Sequence, residues 1–180
     1  MLMCTVIVVG MTLGQTASPS TKDVVAERAI RRIVAAQVSA WNAGDANGYA
    51  SSVAQDVSFT NLFGMVMYGR AAFERRHAEI LATFYKGTFK SHVIRGLRFV
   101  TADVAIVDID NEVRGVRSLP SGIAVPSDGI IRTQLMQVFV RRHGRWWIEA
   151  YHNVEIKTMK QRENRRAGGV PPGCDEGACL

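Results

Sequence analysis

Few side chains in this sequence exchange a proton near neutral pH, and two histidines, His77 and His152, stand where that ability would be used. His77 falls at helical spacing with Phe73, Ile80, Leu81 and Phe84, so it belongs to an otherwise apolar face. His152 follows Ile148 and Ala150 at period two in a β-rich stretch. An imidazole among apolar neighbours is a candidate general acid or base. Its plainer reading is a buried ring satisfied by a nearby amide or carboxylate, and both readings stay open for each histidine. Asp108, Asp110 and Glu112 share one strand face and either orient a histidine or are solvated surface charges. Two histidines and a carboxylate also make a metal set, but no HxxxH spacing supports one, and no metal is expected. No GxGxxG follows a strand, and no cofactor is expected.

The elements that must carry these residues change character along the chain. Ile30, Ile33, Val34, Val38 and Trp41 recur at helical spacing over Ala26–Trp41, with Gln37 inside the same stripe. Ala43-Gly44 breaks that helix, and Asp45 caps a short second one expected to run through Ala54, with Tyr49, Ala50 and Val53 inward. A strand over Val57–Thr60 turns at Asn61-Leu62-Phe63-Gly64 and returns over Met65–Tyr68. A third helix is expected over Ala71–Phe84. From there the chain is β-rich: Phe89–Val100, Val104–Val113, Ile130–Arg141 and Arg145–Ile156, with tight connections at Thr101-Ala102-Asp103 and His143-Gly144. The stretch from Gly115 to Gly129 holds Pro120, Gly122 and Pro126 and suits a rim or lid. Helices first and long strands after predict an α+β domain, a curved antiparallel sheet with three N-terminal helices on its concave face.

At 180 residues and 47% apolar content the chain can bury one real core. No apolar run is long enough to cross a membrane as a helix. The net charge of +6 is spread over separated arginine pairs, Arg31-Arg32, Arg75-Arg76, Arg141-Arg142 and Arg165-Arg166, which disfavours a nucleic-acid surface. Leu2–Leu13 has the length of a signal-peptide core, with a cleavage position between Gly14 and Gln15, but lacks a Lys or Arg before it. Export and a disordered extension of residues 1–20 are both open. Cys4 lies in that segment, while Cys174 and Cys179 lie in a polar, Gly/Pro-rich tail over 157–180 that reads as flexible. The domain is expected over 21–156.

Three stretches carry a family resemblance: Ala40-Trp41-Asn42-Ala43-Gly44-Asp45, then Phe59-Thr60-Asn61-Leu62-Phe63-Gly64 leading to Tyr68-Gly69-Arg70, then Gly144-Arg145-Trp146-Trp147-Ile148 ending in His152-Asn153. Their order and spacing resemble the SnoaL-like branch of the nuclear-transport-factor-two/ketosteroid-isomerase superfamily, and within it the SgcJ/EcaC group. The resemblance implies a cone-shaped α+β fold with a cavity between helices and sheet, and leaves the chemistry open.

Pairing across the His143-Gly144 turn matches Arg142 with Arg145, Phe139 with Ile148, Gln137 with Ala150 and Leu135 with His152. The resemblance puts Thr133, Leu135, Gln137, Phe139, Ile148, Ala150 and His152 inside. Met136, Val138, Val140, Trp147, Glu149 and Tyr151 are left as a convex face apolar enough for a homodimer contact. The site expected from this is His77 and His152 as catalytic groups, with Gln37, Trp41, Tyr49, Asn61, Gln137 and Leu135 around a small hydrophobic ligand. Asn153 is expected to point away. By the same resemblance Gln37, Asn61 and Gln137 stand where ketosteroid isomerase has its tyrosine, its aspartate base and its neutral acid. An amide accepts no proton at neutral pH, so steroid-isomerase chemistry is not expected. Three readings remain: a cofactor-free acid/base enzyme on a small hydrophobic or polyketide-like molecule, a non-catalytic binding protein of the same fold, and a mainly structural or dimeric accessory domain.

Overall fold

The computed structural model describes residues 21–157. The expected signal-like segment, the tail beyond 157 and all three cysteines lie outside them. Helix α1 spans Thr21–Asn42 and buries Ala26, Ile30, Val34, Gln37 and Trp41, one stripe at steps of three and four. Gly44, at φ 70°, ends it in a conformation costly for any residue with a Cβ. Asp45 then caps α2 (Ala46–Ala50) by accepting the Gly48 N–H at 2.9 Å. The second helix stops four residues short of the expected Ala54. Val53 and Ala54 are buried as the start of strand β1 (Val53–Thr60), so strand pairing overrides the helical continuation.

Strand β2 (Val66–Tyr68) returns along β1 and leads through Gly69 into α3 (Arg70–Ala82), which buries Phe73, His77, Ile80 and Leu81. Four long strands follow: β3 (Phe89–Thr101), β4 (Val104–Arg114), β5 (Ile130–Arg142) and β6 (Arg145–Glu155). The six strands form a curved, unclosed sheet in the order β2-β1-β6-β5-β4-β3, with the helices N-terminal to the long meander. The α+β architecture is as expected, with one correction. Neighbours are antiparallel except β1 and β6, which run parallel. Hairpin reasoning joins strands adjacent in sequence, and this pair is separated by most of the domain.

A second correction concerns β6. Phe139 pairs with Ile148 as expected, but Val138 pairs with Ala150, so Glu149 is an extra, unpaired residue. A one-residue insertion reverses every later side chain with respect to the sheet. Before the bulge Trp146 and Ile148 are buried; after it Tyr151 is buried and His152 is exposed. Gln137 therefore faces Tyr151, and Leu135 faces Asn153 rather than His152. The stretch from 115 to 129 folds back on itself, with the Val116 N–H on the Gly129 carbonyl at 3.0 Å, and Leu119 and Val125 pack against the core.

Candidate functional site

The described core contains a buried lysine that the expected site omits. Lys90 is the second residue of β3 and is 2% exposed. Its backbone is clamped by Asn42 at the end of α1, whose Oδ1 accepts the Lys90 N–H at 2.7 Å and whose Nδ2 donates to the Lys90 carbonyl at 3.1 Å. Trp41 reinforces this joint through Nε1–H to Thr88 Oγ1 at 3.2 Å. The last turn of α1 thereby fixes where the Lys90 side chain enters the core.

From there Lys90 Nζ donates to the Tyr49 hydroxyl at 2.7 Å, and the Tyr49 and Tyr151 hydroxyls lie 2.8 Å apart. The ammonium also sits 3.9 Å from the centre of the Trp41 ring and 4.8 Å from that of Tyr49. Burial pulls the Lys90 pKa down to about 7, with no carboxylate offsetting it. Burial pushes Tyr151 up to about 12, and burial together with the neighbouring Tyr151 raises Tyr49 well above the usual phenol value. At neutral pH both phenols keep their protons while Lys90 divides between amine and ammonium. With Lys90 charged, Tyr49 accepts from it, donates to Tyr151, and frees the Tyr151 O–H for a ligand. With Lys90 neutral, its lone pair can accept from Tyr49. The three groups make a chain along which a proton moves either way.

His77 stands beside this chain. Its Nδ1 lies 2.7 Å from the Phe73 carbonyl, which only accepts, so Nδ1 carries the proton and Nε2 is the bare acceptor. The rings of Phe73 and Tyr49 lie 4.1 and 4.6 Å from it, and burial lowers its pKa to about 3. His77 is thus a neutral imidazole at physiological pH and a weak base.

These residues border a cavity of about 50 Å3 whose lining includes Trp41, Asn61, His77, Lys90, Tyr151 and Asn153. Asn111, Thr133 and Tyr85 also line it. Asn111 Nδ2 donates to Thr133 Oγ1 at 2.8 Å and its side chain also engages His92, while the Asn153 Oδ1 is buried without a hydrogen-bond partner. Such an orphaned acceptor costs roughly 1–3 kcal/mol. The cavity therefore offers donors at Lys90 and Tyr151 and an acceptor at Asn153.

Of the residues expected at the site, His77, Trp41 and Asn61 line the cavity, and Tyr49 reaches it through the hydroxyl chain. Asn61 spends its Oδ1 on the turn, accepting from the Phe63 and Met65 N–H groups at 2.9 and 3.0 Å, which leaves its amide NH2 for a ligand. Gln37, Gln137 and Leu135 do not line it. Gln137 Nε2 donates to Gln37 Oε1 at 2.8 Å, which ties the two amides together in the core while Gln137 Oε1 keeps no partner, and Leu135 is packing. His152 is exposed on the opposite face, because of the bulge at Glu149. For the same reason Tyr151 leaves the expected dimer face for the cavity, and Asn153, expected to point away, lines it. Asp110 and Glu112 orient no histidine; they pair outside with Arg95, Gln134, Arg114 and Arg132. Lys90 was missed because a strand lysine ordinarily marks a solvated edge. The available signal was its register opposite Val113, on the buried face of β4.

The SnoaL-like domain matches residues 34–148, well over half of the sequence. The chain belongs to the SnoaL-like domain family. Among solved structures, a cystatin-like-fold protein of unknown function from Nostoc punctiforme is 22% identical with a TM-score of 0.68, over 83% of this chain and 86% of that one. A hexachlorocyclohexane dehydrochlorinase from Novosphingobium barchaimii is 16% identical with a TM-score of 0.63, over 76% and 90%. A ketosteroid isomerase-like protein from Erwinia carotovora is 16% identical with a TM-score of 0.58, over 73% and 96%. At these identities the likeness shows the fold. No curated protein sequence matches the chain. This SnoaL-like chain has no helix long and apolar enough to cross a membrane among its described residues.

Proposed function

We propose that this SnoaL-like protein is a cofactor-free acid/base enzyme acting on a small, largely apolar carbonyl compound, with Lys90 as the proton acceptor and Tyr151 as the donor. The observation that carries this reading is the Lys90–Tyr49–Tyr151 chain beside the cavity: a buried lysine tied to two phenols, with a pKa of about 7. Burying an ammonium without a counter-charge is expensive, and a base poised near neutrality is what general-base catalysis uses. Tyr151 polarises the carbonyl oxygen, and Lys90 takes a proton from the adjacent carbon. His77 supplies an acceptor at Nε2.

The cavity of about 50 Å3 is far below the ~300–1,000 Å3 of pockets for drug-sized ligands, which directs the reading toward substrates of a few heavy atoms rather than polyketide-like ones. The same smallness favours the second reading, a non-catalytic binder of a compact ligand. Membership of the SgcJ/EcaC group and a homodimer through Val138, Val140 and Trp147 belong to this proposal as well.

Hydrogen–deuterium exchange at the α-carbons of small ketones, followed by proton NMR in deuterated buffer, separates the two readings. Exchange should accelerate as pH rises through about 7, because the amine is the active form. Lys90→Met should abolish it, Tyr151→Phe should slow it, and His152→Ala should leave it unchanged. Exchange at the buffer rate, with ligand binding retained in thermal-shift assays, would give the protein to the binding reading.

A further inference from the structure

We propose that Lys90 also acts as a nucleophile, forming a Schiff base with small aldehydes and ketones that carry a neighbouring hydroxyl group. The proposal rests on the cavity beside Lys90 being a small-molecule site, and it names the substrate class of that site.

Three features of the structure lead to it. The first is the lysine's placement. Lys90 Nζ is held by the Tyr49 hydroxyl and two aromatic faces rather than by a carboxylate that would keep it a cation. Desolvation of this kind makes a lysine amine nucleophilic toward carbonyl carbon. About half of it is amine at pH 7, against roughly four parts in ten thousand for an ordinary lysine.

The second feature is a route for the protons. In the addition step the amine nitrogen bonds to the carbonyl carbon and the carbonyl π pair moves to oxygen, which takes a proton. In the elimination step that oxygen leaves as water with a second proton, and the nitrogen, having lost both of its hydrogens, forms the C=N bond. The sum is amine plus carbonyl giving imine plus water, with no oxidant, reductant or cofactor. Both transfers need a weak acid next to the reacting atoms that is recharged from the nitrogen. The Tyr49 and Tyr151 hydroxyls, 2.8 Å apart and starting at Lys90, supply one.

The third feature selects the substrate. Asn111 and Asn153 line the same cavity; the Asn153 Oδ1 is buried without a partner, while the Asn111 side chain also engages His92 across the strands. Asn111 is fixed in that orientation by its Nδ2–H to Thr133. A plain aldehyde leaves the Asn153 acceptor orphaned, whereas a hydroxyl on the adjoining carbon donates to it. Sites built to hydrogen-bond a hydroxyl discriminate strongly against analogues that lack it. The cavity volume of about 50 Å3 admits only compact members of the class.

Reductive trapping tests this on the full chain. The protein is exposed briefly to glycolaldehyde and sodium cyanoborohydride at pH 7, and each lysine is then quantified by peptide mass spectrometry. Lys90 should carry the reduced two-carbon adduct at least about tenfold above the exposed Lys86 and Lys157. Acetaldehyde, without the hydroxyl, should give a several-fold smaller preference for Lys90. Asn153→Leu should erase the difference between the two aldehydes, and Tyr151→Phe should slow trapping without relocating it. Trapping at Lys90 no greater than at Lys86 would overturn the Schiff base. Equal preference for the two aldehydes would overturn the hydroxyl selection. Ketone exchange that persists without trapping would refute this proposal and leave the general-base reading intact, while absence of both would remove the two together. The central measurement is made on the unaltered protein, so it does not depend on how any variant folds.

Discussion

The Tyr49 hydroxyl stands between Lys90 Nζ at 2.7 Å and the Tyr151 hydroxyl at 2.8 Å, joining helix α2 to strands β3 and β6 through three polar atoms inside an apolar core. Each of these polar groups costs more to bury than an apolar side chain would, which makes the consequences measurable as stability as well as activity.

Lys90 should make the protein less stable at neutral than at alkaline pH. Its folded pKa of about 7 lies below the ~10.4 of an unfolded lysine. Between those values the unfolded chain binds the extra proton, so stability falls as pH drops from about 10 to 7 and levels off below. The opposing contribution at pH 7 is on the order of 4 kcal/mol, partly offset by the Tyr49 hydrogen bond and the Trp41 ring. Lys90→Met should raise stability by at least ~1 kcal/mol at pH 7 and bring no gain near pH 10. Urea unfolding at a series of pH values reads this directly, and an unchanged pH slope would contradict it.

His77 governs the acid side. Its pKa of about 3 in the fold, against ~6.5 unfolded, means that the unfolded chain binds the proton first on acidification. Stability is therefore lost as pH falls from 6.5 toward 3. His92, lowered to about 3 by burial, adds to the same window. His77→Phe keeps the stacking on Phe73 and Tyr49 and should reduce the proton uptake linked to unfolding by about one between pH 3.5 and 6.

The Gln37–Gln137 pair should behave as a unit. Each single change to Leu leaves the other amide buried without its partner and should cost ~1–3 kcal/mol. The double change removes both polar groups, and chemical denaturation should show it costing less than the sum of the singles. Strict additivity would mean that the amides do not depend on each other.

The proposed dimer face is narrower than the alternation of β6 suggested. Tyr151 has gone to the core, and Trp147 is flanked by the Arg145 and Arg70 guanidiniums at 4.1 and 5.0 Å. Met136, 43% exposed, and half-buried Val138 and Val140 complete it. Trp147→Glu should shift sedimentation toward monomer with folding intact. An unchanged profile would place any self-association elsewhere.

The legible parts of the molecule were those set by periodicity. The α1 stripe through Gln37 and Trp41, the Asp45 cap, the His77 face of α3 and the order of the long strands follow from spacing alone. What was not legible arises from pairings between distant segments. The parallel contact of β1 with β6 has no local signature. The bulge at Glu149 leaves composition and hydropathy unchanged yet inverts Tyr151, His152 and Asn153. Lys90 reads as a surface residue until its neighbours across the core, Tyr49 and Trp41, are known.

The bulge also bears on how such a site diverges. The extra residue at Glu149 is what keeps Tyr151 and Asn153 inward: paired without the bulge, the same β6 would withdraw a phenol and an amide from the cavity and present an imidazole. Loss of the Glu149 codon would only straighten the strand, because Phe139 already pairs with Ile148 and Val138 with Ala150. Lineages of this architecture can thus gain or lose a residue outside the cavity and keep its reactive groups, provided a bulge takes up the change. Comparing chains by which residues occupy aligned columns would miss this; whether the strand carries a bulge between the hairpin and the cavity is the character to follow.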